Sequence, residues 1–258
     1  MAGPSALLQD VVSAPADVAP RLAYAKAVAR RDPERAEFIR IQLALARWRK
    51  EFDRCLDPSL ERELTLVRAR GREWAADIAP LVDGWQFLSG FVEVVTLDAA
   101  AFLADAEEIY RRAPVLHLNL TGVRPVAERL FASPSLGRIR SLRLHALELG
   151  DAEAALLASS PHLGRLEWLD LGGNRIGAAG LEALAGSAGL PRLGYVDLSY
   201  NAVDDPTPRH ADEYDADSAA ALRLQAAHGP RAWLDARTRS IWPPHRDAVE
   251  YPRGWNSG

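Results

Sequence analysis

Apolar and polar positions recur along the middle of the chain with a single period. Leu166, Leu169, Leu171 and Ile176 frame Asn174 in the spacing LxxLxLxxNxL, and Leu193, Val196, Leu198 and Val203 frame Asn201 in the same spacing 27 residues later. One period earlier come Ile139, Leu142, Leu144 and Leu149, with Leu147 at the asparagine position. Before them, Leu116, Leu118 and Val123 hold the frame, with Thr121 at that position. The anchors Leu116, Leu142, Leu169 and Val196 thus lie 26, 27 and 27 residues apart. A period of this length describes stacked units of one strand and one return helix, each covering the apolar face of the next. The return segments Pro125–Ala132, Asp151–Ser159 and Ala178–Ser187 are rich in alanine and leucine. Asp151 stands as an N-cap, and prolines 134, 161 and 191 follow as stop signals. An asparagine amide suits the corner after a strand because it bonds backbone groups that the strand end leaves open. Leu147 and Thr121 therefore predict looser turns in the two earlier units.

The flanks follow other patterns. Phe91–Leu97 reads as a strand and Ala99–Arg112 as a helix, with Phe102, Leu103, Ala106, Ile109 and Tyr110 on one side, so a degenerate unit precedes the four clear ones. Phe38, Ile41, Leu45, Trp48 and Phe52 form one helix face, and Leu60, Leu64, Val67, Trp74 and Ile78 a second, joined by the turn Asp57-Pro58-Ser59. Residues 1–88 are accordingly read as a helical cap, 89–203 as the repeats, and 204–258 as an acidic loop with a tryptophan-rich closing segment. That last part holds six carboxylates against one arginine in Asp204–Asp217, a short helix over Ser218–His228, and then Trp233, Trp242, Pro243, Pro244, Tyr251 and Trp255. The fold class is α/β: a short solenoid with a parallel concave sheet, convex helices and an all-helical N-terminal cap.

Composition narrows the function. With 258 residues, 48% hydrophobic and 26% charged, the chain is globular. A net charge of -4 disfavours a surface devoted to phosphates. The single cysteine, Cys55, excludes an internal disulfide and a cysteine-rich zinc site. No apolar run reaches the roughly 18 residues of a membrane span, and the first residues lack a signal-peptide pattern, so a cytoplasmic protein is expected. Only Lys26 and Lys50 among the 31 basic residues are lysine, the bias of a GC-rich bacterial genome.

In the repeat frame, the third, fifth and seventh residues of each unit leave the strand on the concave, solvent side. The columns are Val115, Ser141, Trp168 and Tyr195; then His117, Arg143, Asp170 and Asp197; then Asn119, His145, Gly172 and Ser199. The candidate partner-binding residues are His117, Asn119, Arg143, His145, Trp168, Asp170, Tyr195, Asp197 and the adjacent Tyr200. The fifth column changes from cationic to anionic, and rings beside carboxylates suit a partner's arginine or lysine; burial of the rings by the closing segment is the competing reading. Chemistry finds little support. Gly172 to Gly180 matches neither phosphate-loop spacing. His117, His145 and Asp170 sit on different strands without a local metal-ligand spacing, and Cys55 reads as an apolar filler. No catalytic, metal or cofactor site is expected. Between Arg21 and Glu73 there are 14 basic and 9 acidic residues, and Arg40, Arg47 and Arg54 share a helix side, which keeps nucleic-acid association as the alternative.

Two resemblances rest on these residues. The 26- to 27-residue units with helical returns resemble the ribonuclease-inhibitor type of leucine-rich repeat. Ala19-Pro20-Arg21-Leu22-Ala23-Tyr24-Ala25 and Arg31–Gln42 are similar to the repeat-companion domain that accompanies such repeats in planctomycete and myxobacterial proteins, although Lys26 and Ala27 replace that family's usual acidic residue and tryptophan. Together they cover about residues 5 to 203. They imply architecture and protein interaction, with no catalytic residues: a non-catalytic module holding a protein or peptide on its concave face, as inhibitor or scaffold. Thermal unfolding with and without ATP or NAD is expected to give one midpoint; a nucleotide-dependent rise would restore a phosphate loop at Gly172–Gly180.

Overall fold

A computed structural model of the chain describes residues 3–46, 57–201 and 219–234. The protein is α/β. Six strands form one mostly parallel sheet in chain order: β1 (Gly84–Leu88), β2 (Phe91–Asp98), β3 (His117–Thr121), β4 (Ser141–Arg143), β5 (Trp168–Asp170) and β6 (Tyr195–Asp197). Among the described residues the α-helices are α1 (Pro4–Ser13), α2 (Val18–Val28), α3 (Pro33–Leu45), α4 (Ser59–Trp74), α5 (Ala99–Arg112), α6 (Ala127–Phe131), α7 (Asp151–Ala158), α8 (Ala178–Gly186) and α9 (Ala219–His228). The described chain divides into two compact units, one of residues 3–46, 57–96 and 105–117, the other of 97–104, 118–201 and 219–234.

In the first unit, α3 starts where Pro33 presets the first helical turn and the Asp32 carboxylate accepts the Arg35 N–H at 2.9 Å. Its buried stripe is Arg35, Ala36, Phe38, Ile39, Gln42 and Leu45, so two polar residues share the inward face and Ile41 lies only half-buried. On α4 the inward face likewise runs through Glu63, Leu66, Val67 and Gly71, with Leu60 and Leu64 half-buried at its margin. The helical reading of residues 1–88 gives way at its end. β1 occupies Gly84–Leu88 and pairs antiparallel with β2, because Trp85 and Phe87 alternate inward in a short run that is also bounded by a turn. Ser89 and Gly90, with φ of 50° and 89°, make that two-residue turn. A Cβ on Gly90 would lie 2.8 Å from the Ile39 Cα, so only glycine lets the turn rest on α3. Trp48, Phe52, Arg47, Arg54 and Cys55 lie outside the described residues.

The second unit repeats one pattern. β4, β5 and β6 pair in parallel with Leu142, Leu169 and Val196 in register, and Arg143, Asp170 and Asp197 one step on. Buried leucines recur behind them at the same interval: Leu130, Leu157 and Leu184 on the helices, then Leu136, Leu163 and Leu190, then Leu144, Leu171 and Leu198. Each contributes about 1.5–3 kcal/mol through burial. β3 departs from the frame: it starts at His117 and runs five residues, where the periodicity places Val115–His117.

Polar side chains tie neighbouring units together. The Asn174 amide donates to Leu144 O and Leu171 O, both at 2.8 Å, while its Oδ1 accepts Leu147 N–H (2.9 Å) and Leu149 N–H (3.1 Å). Asn201 repeats this one unit on, donating to Leu171 O and Leu198 O and accepting Ile176 N–H. At the corner before Asn174, Ala146 and Glu148 both take positive φ. Asp151 does not cap its own helix. Gly150 takes that position, and the Asp151 carboxylate accepts Gly177 N–H (2.6 Å) and Gly180 N–H (2.9 Å), closing the start of α8 in the next unit. Ser160 donates to Phe131 O and Ser187 to Ala158 O, which bonds each helix end to the one before.

After β6, residues 202–218 and 235–258 lie outside the described residues, and with them the acidic loop and Trp242, Pro243, Pro244, Tyr251 and Trp255 of the closing segment. α9 matches the helix expected over Ser218–His228. His228 pairs with Glu182, Arg231 donates to Ala185 O at 2.8 Å, and Trp233 and Leu234 are buried. Replacing Asn174 with alanine strands several buried backbone groups, at roughly 1–3 kcal/mol each. Urea unfolding of Asn174→Ala is expected to show a loss of about 3 kcal/mol, and a loss under 1 kcal/mol would contradict the bonding described.

Candidate functional site

The residues expected on a solvent-facing sheet surface separate into two groups. Arg143 and His145 are exposed, Tyr200 is 63% exposed, and Asn119 and Tyr195 are half-buried. His117, Trp168, Asp170 and Asp197 are buried, and so are Val115 and Ser141 of the third column. The expected change of charge sign along the fifth column therefore does not reach solvent.

The buried aspartates and the tryptophan have structural roles. The two aspartates close the ends of their strands, Asp170 Oδ1 accepting Gly172 N–H and Asp197 Oδ1 accepting Ser199 N–H, both at 2.9 Å. Trp168 and Tyr195, paired across β5 and β6, stack at 5.7 Å with their planes 5° apart. The cation clamp expected from rings beside carboxylates is consequently not presented as drawn from the sequence: its carboxylates serve the backbone and its tryptophan is covered.

What does come together is a cluster around Asp170. Arg143 Nε–H donates to Asp170 Oδ2 at 3.1 Å, and His145 Nδ1 lies 3.3 Å from Asp170 Oδ1. Arg143 stands on β4 directly beside Asp170 on β5. Gly172 makes room for the imidazole: a Cβ there would lie 2.9 Å from His145 Nδ1 and 3.1 Å from Ser199 Oγ. His117 takes no part in this cluster. Among the described residues no group of three or more histidine, cysteine, aspartate or glutamate side chains is placed to hold a metal ion.

Tyr200 occupies an unusual backbone position. Ala146, Gly173 and Tyr200 are equivalent residues of successive units, each left-handed, with φ of 56°, 68° and 59°. Glycine meets that geometry without strain, whereas a large side chain pays about 1–2 kcal/mol.

A second constellation went unnoticed in the sequence. Arg21 of α2 is buried and its Nη1 lies 2.7 Å from Glu93 of β2; Glu93 Oε2 is 4.0 Å from His117 Nε2. Arg21 also donates to Ser89 O and Pro15 O. Nearby, Gln42 Oε1 accepts Gly90 N–H while its Nε2 donates to Glu63 and to Phe87 O. Arg35 lies within 6 Å of the rings of Phe38, Trp74, Phe87 and Phe91, and burial pushes its guanidinium down to about 10, against the opposing pull of Tyr24 and Asp32. Arg21, Asp32, Arg35, Phe38 and Gln42 all belong to the two N-terminal segments that carry the resemblance, and all of them brace helices or the β1–β2 turn. Hydropathy marks all of these except Phe38 as surface residues.

The arginine excess of this region is partly consumed in the same way. Arg21 and Arg35 are buried, Arg62 binds Glu37 through two nitrogens, and Arg70 is shared among Asp32, Glu34 and Glu73. The Arg62 hydrogen bond holds the Glu37 carboxyl below its usual range. Arg40 remains exposed. Among the described residues no helix is long and apolar enough to cross a membrane. Comparison with protein-family models, with curated proteins and with solved structures gives no match.

Removing one partner of a buried ion pair costs roughly 3–5 kcal/mol, whereas apolar replacement of both is close to neutral. Arg21→Met is thus expected to destabilise by that amount in urea unfolding, and Arg21→Met/Glu93→Leu to recover most of it. Equal losses in the single and double variants would show that the pair does not act as a unit.

Proposed function

We propose that residues 89–203 form a leucine-rich repeat solenoid of the ribonuclease-inhibitor type, preceded by a repeat-companion domain, and that the protein is a non-catalytic binding module of the cytoplasm. Its partner is a protein or peptide, held on the sheet side and its rim, with inhibition or scaffolding as the consequence. The in-register parallel strands, the 27-residue recurrence of buried leucines and the cross-unit asparagine bonds support the architecture. One observation carries the function. Tyr200 keeps a large exposed ring in a backbone conformation that its equivalent, Gly173, adopts without strain. Strain retained at an exposed side chain points to use, and tyrosine is among the residues that most often anchor protein interfaces. Burial of Arg21 and Arg35 and the surface pairing of Arg62 with Glu37 and of Arg70 with Asp32, Glu34 and Glu73 weigh against a nucleic-acid surface on the N-terminal helices.

The test separates stability from recognition. Tyr200→Gly is expected to raise the unfolding free energy by about 1 kcal/mol and to lose the protein that the wild-type chain retains in affinity capture. Retention of the same protein by both chains would contradict the proposal.

A further inference from the structure

The sheet stops at β6 with a row of backbone groups that face no further strand. On the protein-binding reading above, on which this inference rests, that row specifies the form in which a partner arrives. In each unit the amides after the strand donate to the next unit: Leu144 N–H to Asp170 O and Ala146 N–H to Gly172 O, then Leu171 N–H to Asp197 O and Gly173 N–H to Ser199 O. Carbonyls recur likewise, Arg140 O accepting Trp168 N–H and Glu167 O accepting Tyr195 N–H. One unit further, the equivalent groups are Gly194 O, Leu198 N–H and Tyr200 N–H, and among the described residues nothing bonds them. Tyr195 N–H and Asp197 O already bond the unit of β5, so Val196, between them, turns its own N–H and C=O to the open side.

The repeat step explains the gap. Twenty-seven residues beyond Val196 stands Arg223, inside α9, so helix occupies the stretch that the period assigns to a seventh strand. α9 packs on α8, and the turn Ala232–Leu234 lies against β6 and buries Trp233 and Leu234. Val196 nevertheless stays half-buried, where its equivalents Leu142 and Leu169 are 0% exposed. At the other end of the sheet, Phe87 O is taken by Gln42, and Leu88 O and Ser89 O by Arg21.

We propose that β6 receives an extended segment of the partner protein as a seventh strand. The chemistry names the occupant. Acceptors at Gly194 and Val196 and donors at Val196, Leu198 and Tyr200, spaced two residues apart, are the complement of an extended peptide backbone. The run Gly194–Tyr200 carries no proline or lysine, the residues that commonly block pairing at a sheet edge. Side chains of the incoming strand alternate, one set beside Tyr195 and Asp197, the other, apolar, beside Val196 and Leu198. Tyr200 ends the row with its ring exposed, so the anchor of the proposed function and the open edge are continuous.

The experiment uses the full chain, first alone. Amide hydrogen exchange is expected to be at least about a hundredfold faster at Leu198 and Tyr200 than at Leu171 and Gly173. Slow exchange of the first pair in the monomer means that another part of the chain fills the edge, and slow exchange only at high protein concentration means that a second copy does; either overturns the proposal. The probe is then a capped heptapeptide, Lys-Val-Thr-Val-Thr-Val-Lys, expected to shift the Leu198 and Tyr200 amide resonances saturably and to slow their exchange. Backbone N-methylation tests the ladder. Methylating the threonine nitrogens or the valine nitrogens blocks opposite edges of the peptide, and a strand uses one edge, so one form is expected to bind at least about tenfold more weakly than the other. Two forms of equal affinity, both bound or both lost, overturn strand addition, and so do resonances unmoved by the parent peptide. Should Tyr200→Gly nevertheless lose its captured partner, protein binding stands and this mode of binding alone falls.

Discussion

A backbone that turns sharply at every strand end must find partners for the N–H and C=O groups it turns inward, and in this protein the partner is a side chain from the next unit. Asn174 meets that requirement for two units at once, bonding carbonyls of residues 144 and 171 and amides of residues 147 and 149. Buried backbone groups without partners cost roughly 1–3 kcal/mol each, comparable with the burial of a whole leucine side chain. Apolar packing alone would let one unit slide or rotate on the next. The asparagine bonds, the Asp151 carboxylate at the start of α8, and the serine hydroxyls at the helix ends fix the register, and fixed register is what aligns Arg143, Asp170 and Asp197 in one row.

That requirement also sorts the polar residues by use. Asp170, Asp197, Asn174 and Asn201 look like surface chemistry in a sequence, yet each bonds the backbone of its own or a neighbouring unit. Arg143, in the unit of β4, and Tyr200, in the unit of β6, keep large exposed areas, one hydrogen-bonded to a carboxylate, the other held in a strained turn. The proposed binding role draws on this remainder. The first unit follows the same division: Arg21, Arg35, Gln42 and Glu63 stabilise the β1–β2 turn and its supporting helices, and the motif-like N-terminal sequence is explained by packing.

Much of the second unit was legible because its period is short and its anchors are leucines, which bury wherever the frame places them. The asparagine corners were legible for the same reason. Ser133, Ser160 and Ser187 recur at the same 27-residue interval and were missed, since a serine at the end of a helix, directly before a proline in the first two cases, reads as an ordinary stop. Asp151 was assigned to its own helix because a local cap is the nearest explanation, whereas the true acceptor geometry depends on Gly177 and Gly180 one unit away. Strand β1 escaped because five residues next to long helices carry too little alternation, and His117, Glu93 and Arg21 because no linear pattern reveals a buried charge paired with one 72 residues distant in sequence. The site was readable only as columns. Which members of a column face water depends on what each side chain bonds, and that is a property of the folded neighbours.

Native-state hydrogen exchange tests the governing constraint most directly. If side chains of the following unit hold the turns, the amides of Leu147, Leu149, Ile176, Gly177 and Gly180 exchange slowly despite lying outside the regular hydrogen bonding of strands and helices, with opening free energies near that of global unfolding. Exchange of these five amides at rates close to those of an unfolded chain would contradict the account.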